Sequence, residues 1–146
     1  MNNMKPVEIL LVEDNEDDII LTKEAFLENR LTNKLNIVKN GMDALRYLKK
    51  DEPYSNAVKP NIILLDINLP EMSGIEVLEK IKSEDDLKDI PVVILTTSNL
   101  ERDIIKSYKL HANCYINKPV NLDDFFEIIK VFGKFWFSIV TLPDKK

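Results

Sequence analysis

Four short apolar runs in this chain each end in a residue type suited to handling a phosphoryl group. Glu13 and Asp14 follow Ile9-Leu10-Leu11-Val12, Asp66 follows Ile62-Ile63-Leu64-Leu65, Thr96 follows Val92-Val93-Ile94-Leu95, and Lys118 follows Tyr115-Ile116-Asn117. A carboxylate can attack phosphorus, a pair of acids can hold a divalent cation, and a hydroxyl and an ammonium can bind the oxygens once they have moved. A carboxylate or Thr at the end of a strand, taken alone, would serve equally well as the N-cap of the next helix. Three acids, a hydroxyl and a lysine in one pocket are another matter, because several desolvated charges are costly unless a cation and an anion join them.

The elements that must position these residues are legible in the same runs. Short continuous stretches rich in Val and Ile, each followed by a stretch of helical periodicity, read as parallel strands covered on both faces. Strands are expected near residues 7–12, 35–39, 61–65, 91–95 and 113–117. Helices are expected near 17–29, with Ile19, Ile20, Ala25, Phe26 and Leu27 at roughly helical spacing, near 42–49 with Ala44, Leu45 and Leu48 inward, and near 74–81 with Val77, Leu78 and Ile81 inward. Asn99 would cap a fourth helix over 100–110, and Asn121 a fifth with Asp123 and Asp124 in its first turn. Five alternations without a repeat or a low-complexity linker argue for one doubly wound α/β domain. In such sheets ligands sit beyond the carboxyl ends of the strands, where all four fragments put their polar residues. The polar segment 50–59 is longer than a usual connection and reads as an insertion without a function of its own.

Composition excludes several classes. A length of 146 residues fits one domain, and a net charge of −5 without any dense run of Lys or Arg argues against nucleic acid. Residues 1–6 lack an apolar signal-like core and no stretch is long enough to span a bilayer, so a cytoplasmic protein without a membrane partner is expected. Cys114, the single cysteine, reads as a small buried hydrophobe, and the lone His111 has no partner for zinc.

The segments ILLVEDNED (9–17), IILLDINLPEMSG (62–74), PVVILTTS (91–98) and YINKP (115–119) together resemble the response-regulator receiver domain of two-component signalling, over about residues 7–129. The resemblance implies a flavodoxin-like five-stranded parallel sheet of order 2-1-3-4-5, a strand order inherited from that family. It implies Asp66 as phosphoacceptor, with Glu13, Asp14 and Asp66 holding Mg²⁺ together with Asn68 through its backbone carbonyl. It further implies Thr96 as the hydroxyl that moves onto the phosphoryl group, Lys118 as its ion-pair partner, Tyr115 as an aromatic switch, and a cis peptide between Lys118 and Pro119. Ser73 departs from the family's frequent Asp, which should alter capping more than chemistry, and His111 departs from its usual Gly, which should reshape that turn.

The function so implied is a single-domain regulator, phosphorylated by a sensor histidine kinase and signalling through a downstream protein. Beyond self-phosphorylation and autodephosphorylation it would not be an enzyme. The segment after the second helix, Thr96-Thr97-Ser98 and the tail 135–143 are similar to regulators that accompany phytochrome-like sensor kinases. A Mg²⁺-dependent phosphohydrolase is disfavoured, because Asn68, two residues past the nucleophile, cannot serve as general acid. The intact acid set argues against a phosphorylation-independent pseudo-receiver.

Residues 1–6 are expected as a tail, 7–130 as the receiver and 131–146 as an extension of the last helix. Phe125, Ile128, Ile129, Phe132, Trp136 and Ile139 form one stripe, but Phe135, Trp136 and Phe137 are consecutive and cannot all face one core. A homodimer or a kinase-docking surface through the last helices and tail is the expectation.

Overall fold

The computed structural model describes residues 7–28, 33–97 and 114–118. In chain order these form β1 (Val7–Val12), α1 (Glu16–Glu28), β2 (Asn33–Val38), α2 (Gly41–Lys49), β3 (Ile62–Asp66), α3 (Gly74–Ser83), β4 (Val92–Thr96) and β5 (Cys114–Asn117). The strands make one sheet of order β2-β1-β3-β4-β5, parallel throughout. The flavodoxin-like order expected from the resemblance is the one observed. The two helices expected after β4 and β5, the turn at His111 and the aromatic tail lie outside the described residues.

The continuous apolar runs become strands buried on both faces. Every residue of β3 is buried, and alternate residues serve opposite layers. Leu10, Val12, Ile63, Leu65, Val92 and Ile94 pack into one core with α2 and α3, through Ala44, Leu45, Leu48, Val77, Leu78 and Ile81. Their neighbours Ile9, Leu11, Ile62, Leu64, Val93 and Leu95 are fully buried on the other face, the side to which the right-handed connection from β1 to β2 carries α1. Burial of each such side chain contributes about 1.5–3 kcal/mol before the entropy of ordering the chain is subtracted. In α1, Ile19 is buried but Ile20 is 50% exposed, so the inward stripe expected there is narrower than the run of apolar letters suggests.

Helix starts follow local chemistry. The Asn40 side chain accepts from the Asp43 N–H at 2.8 Å and begins α2. Ser73 begins α3 as half of a capping box, its hydroxyl accepting from the Glu76 N–H at 3.2 Å while the Glu76 carboxylate accepts from the Ser73 N–H at 3.0 Å. The departure at Ser73 is therefore one of capping. Ser73→Ala should lower stability by about 1 kcal/mol, and Ser73→Asp should restore most of it. Thermal melts of the two variants check this, and a Ser73→Ala protein melting with the wild type would refute the capping role.

The segment after α2 is better tied down than the sequence suggests. Lys50 closes α2 in the left-handed conformation at φ 60°, with its N–H aimed at the Arg46 and Tyr47 carbonyls. Successive turns then bring Tyr54 and Ala57 against the core, with the Tyr54 ring 5.5 Å from that of Tyr47. At the opposite end of the sheet from the candidate site, Lys82 donates to the carbonyls of Lys88 and Ile90 at 3.0 and 3.1 Å and fixes the approach to β4. No helix among the described residues is long and apolar enough to cross a membrane.

Candidate functional site

At the carboxyl ends of β1 and β3 the sequence turns abruptly from apolar to acidic. Glu13 continues β1 by one residue, its N–H donating to the Val38 carbonyl at 3.0 Å. That bond turns the Glu13 side chain into the crevice, where it is buried. Its Oε2 accepts from the Asn15 N–H at 3.2 Å, and Asn15 in turn caps α1 by accepting from the Asp18 N–H at 2.9 Å. Asp66 ends β3 and is also buried, with the Asn68 N–H donating to its Oδ1 at 3.0 Å. The chain then turns back under Gly74, whose N–H reaches the Ile67 carbonyl at 3.0 Å.

Gly74 is forced by contact. A Cβ at this position would stand 2.4 Å from the Asp66 carbonyl oxygen and 2.6 Å from the Ile67 Cα. Only glycine lets the start of α3 lie directly on the backbone of Asp66, so the phosphoacceptor candidate is seated from below by α3 and from the side by β4, where it pairs with Leu95.

Lys118 follows β5 and reaches across the strand ends. Its Nζ lies 3.2 and 3.3 Å from the two oxygens of Glu13, 3.2 Å from Asp66 Oδ2 and 2.8 Å from Asp18 Oδ2. Burial pushes the Glu13 carboxyl up to about 8, the hydrogen bond and charge of Asp66 add to that, and Lys118 opposes it. Burial works to discharge the Lys118 ammonium, but Asp18, Asp66 and Glu13 outweigh it and hold its pKa above the ordinary value.

The structure thus brings Glu13, Asp14, Asp66 and Lys118 to one crevice, as their positions in the sequence suggest. Thr96 ends β4 on the strand beside Asp66 and pairs with Asn117, and Tyr115 pairs with Ile94. The side chains of Thr96, Tyr115 and Cys114, and the Lys118–Pro119 peptide, lie outside the described residues. Asp18 and Asn15 escaped the sequence reading. The available signal was the spacing from Asn15 to Asp18, which marks a cap and a first helical turn at the same end of the sheet as the acids.

A divalent cation fits these residues. One oxygen from each of Glu13, Asp14 and Asp66 lies within 4.8 Å of the others, with Asp14 exposed and the other two buried. Mg²⁺ usually keeps several waters and takes one or two carboxylates directly, so these three acids would hold it partly by direct contact and partly through water. Asp18 adds a fourth carboxylate against the single ammonium, and this excess of negative charge favours a cation.

The response regulator receiver domain family matches residues 9–130. The response regulator Rcp1 of Synechocystis sp. is 46% identical over 138 residues, covering 94% of this chain and 94% of its own length. The Mn²⁺-bound structure of Rcp1 aligns with TM-score 0.73 and 46% identity over 94% of this chain and 99% of that one. The phosphorylated cyanobacterial phytochrome response regulator RcpA aligns with TM-score 0.73 and 48% identity over 95% and 99%. The bacteriophytochrome response regulator AtBRR aligns with TM-score 0.85 and 38% identity over 97% and 99%. With the strand order, the acid cluster and the strand-end lysine all in place, the chain belongs to the receiver-domain family of two-component response regulators.

Proposed function

We propose that this chain accepts a phosphoryl group from a sensor histidine kinase onto Asp66, in a Mg²⁺-dependent reaction, and signals in the cytoplasm by binding a downstream protein when phosphorylated. The observation that carries the reading is the Lys118 ammonium 3.2 Å from a buried Asp66 whose neighbours Glu13 and Asp14 offer oxygens for a cation. The similarity to regulators of phytochrome systems favours a kinase of that kind.

In this reading a carboxylate oxygen of Asp66 attacks phosphorus, a P–O bond forms, and the bond to the donor breaks with its electron pair leaving on the donor. A bound divalent cation supplies positive charge that neutralises the phosphoryl oxygens. Asn68 holds Asp66 Oδ1 through its N–H, which orients the carboxylate, and is assigned a metal contact through its carbonyl. Lys118 then pairs with a phosphoryl oxygen, Thr96 donates its hydroxyl to another, and the displacement of Thr96 is sensed by Tyr115.

Incubation with acetyl phosphate and Mg²⁺ should place an acid-labile phosphoryl group on Asp66, located by peptide mass spectrometry. Chelation of the cation should stop labelling, because a phosphoryl dianion cannot approach Glu13, Asp14 and Asp66 without compensation. Labelling that persists in excess chelator, or that maps elsewhere, would remove the proposal. A phosphohydrolase would instead turn over a small phosphorylated substrate and release phosphate without accumulating the labelled protein.

A further inference from the structure

Lys118 has more partners than it can serve. Its ammonium carries three N–H donors, yet four carboxylate oxygens from Glu13, Asp18 and Asp66 stand within 3.3 Å. The shortest contact, 2.8 Å, goes to Asp18, a residue with no place in the transfer step described above. Phosphorylation of Asp66 would add a further claimant, so one existing partner must yield.

Asp18 is the partner able to yield. The side chains of Glu13 and Asp66 are 1% and 2% exposed, whereas that of Asp18 is 26% exposed and can return to water. Its backbone is nevertheless fixed. The Asp18 N–H donates to Asn15 Oδ1, the Asp18 carbonyl accepts from the Thr22 hydroxyl at 2.8 Å, and the Asn15 N–H donates to Glu13. A closed circuit therefore runs Glu13, Asn15, Asp18, Lys118 and back to Glu13, with one joint open to solvent.

We infer that Asp18 is a positioning residue that clasps Lys118 before phosphorylation and competes with the phosphoryl group for it afterwards, so that α1 sets how tightly the site holds an aspartyl phosphate. The inference rests on the proposed phosphoacceptor role of Asp66. On this account an acid at position 18 tunes the balance between the unphosphorylated and phosphorylated forms without touching the reacting atoms.

The test uses beryllium trifluoride with Mg²⁺, which binds a carboxylate as a tetrahedral mimic of the aspartyl phosphate, and reads affinity by titration calorimetry on the full chain. Asp18→Asn should bind the mimic roughly fivefold more tightly than wild type, the scale of a partly exposed ion pair. Asp18→Glu, which keeps the charge, should return affinity to near the wild-type value. Asp17→Asn removes an equal charge from the same helical turn, and should change affinity much less. Unchanged or weaker binding by Asp18→Asn overturns the inference, as does equal tightening by Asp17→Asn, which would make the effect one of net charge. Should Asp18→Asn fail to fold, Asp18→Glu still decides: a loss of affinity there of more than about tenfold would make position 18 structural. Absence of binding by wild type, or undiminished binding by Asp66→Asn, would instead refute the phosphoacceptor reading itself.

Discussion

Asp66→Asn should accept no phosphoryl group from acetyl phosphate with Mg²⁺, while the metal-free protein should melt no lower than wild type. An amide nitrogen has no lone pair to offer phosphorus and the amide oxygen is a feeble nucleophile, so the loss should be complete rather than partial. Stability should follow a different course. Asp66 raises the Glu13 carboxyl through both a hydrogen bond and its charge, so the two acids oppose one another across a buried gap. Replacement by Asn removes that opposition, keeps an acceptor for the Asn68 N–H and preserves side-chain volume. Lys118 loses one charged partner but retains Glu13 and Asp18. Intact-protein mass spectrometry and a thermal melt in chelator give the two readouts. Residual labelling of the variant would remove Asp66 from its role. A sharp fall in the melting temperature without metal would show that the carboxylate is part of the fold's support.

The same division between chemistry and support explains how much could be read in advance. The inner strands β1, β3 and β4 were legible because they are covered on both faces of the sheet, which demands unbroken apolar runs, and β3 is buried at every position. The residues that terminate those runs were legible for the same reason, since an acid or a lysine ending a buried strand stands out against its neighbours. Strand order could not be derived from the runs and came from the resemblance; physics alone restricts it only through handedness and crossover rules. Ile20 shows the limit of periodicity, because a helix over one face of a sheet buries a stripe and leaves adjacent apolar residues in water.

Asp18 was missed for a more basic reason. Its partner is Lys118, 100 residues away in sequence, and no local pattern announces a contact between a first helical turn and the end of a distant strand. Nor did the polar letters of 50–59 suggest that Tyr54 and Ala57 reach back to the core, a result of turns that only the folded chain displays. Gly74 lies between these cases. It could be seen as a residue of the loop motif, but the reason that it must be glycine is a distance to Asp66 and Ile67.

Gly74→Ala should therefore damage both fold and chemistry. The added Cβ would meet the Asp66 carbonyl oxygen at 2.4 Å and the Asp66 carbonyl carbon at 3.1 Å. These are backbone atoms of a central strand and cannot rotate aside, so the start of α3 must lift and weaken the Gly74 N–H bond to the Ile67 carbonyl. Overpacking of this kind costs about 3 kcal/mol, well above the roughly 1 kcal/mol that alanine gains over glycine within a helix. At this chain length the net loss should lower the melting temperature by about 6 °C. Gly41→Ala is the matched control. There the new Cβ would meet Val77 Cγ2 at 2.7 Å and Met72 Cβ and Sδ at 3.2 Å, side-chain rather than backbone atoms, so the crowding should cost less than at Gly74 and should leave Asp66 where it is. The two variants should part most clearly in phosphorylation. A shift of Asp66 by a fraction of an ångström upsets the in-line approach, and Gly74→Ala, assayed where it remains folded, should label more than tenfold more slowly than Gly41→Ala. Equal melting temperatures and equal labelling rates for the two would mean that α3 does not seat the phosphoacceptor.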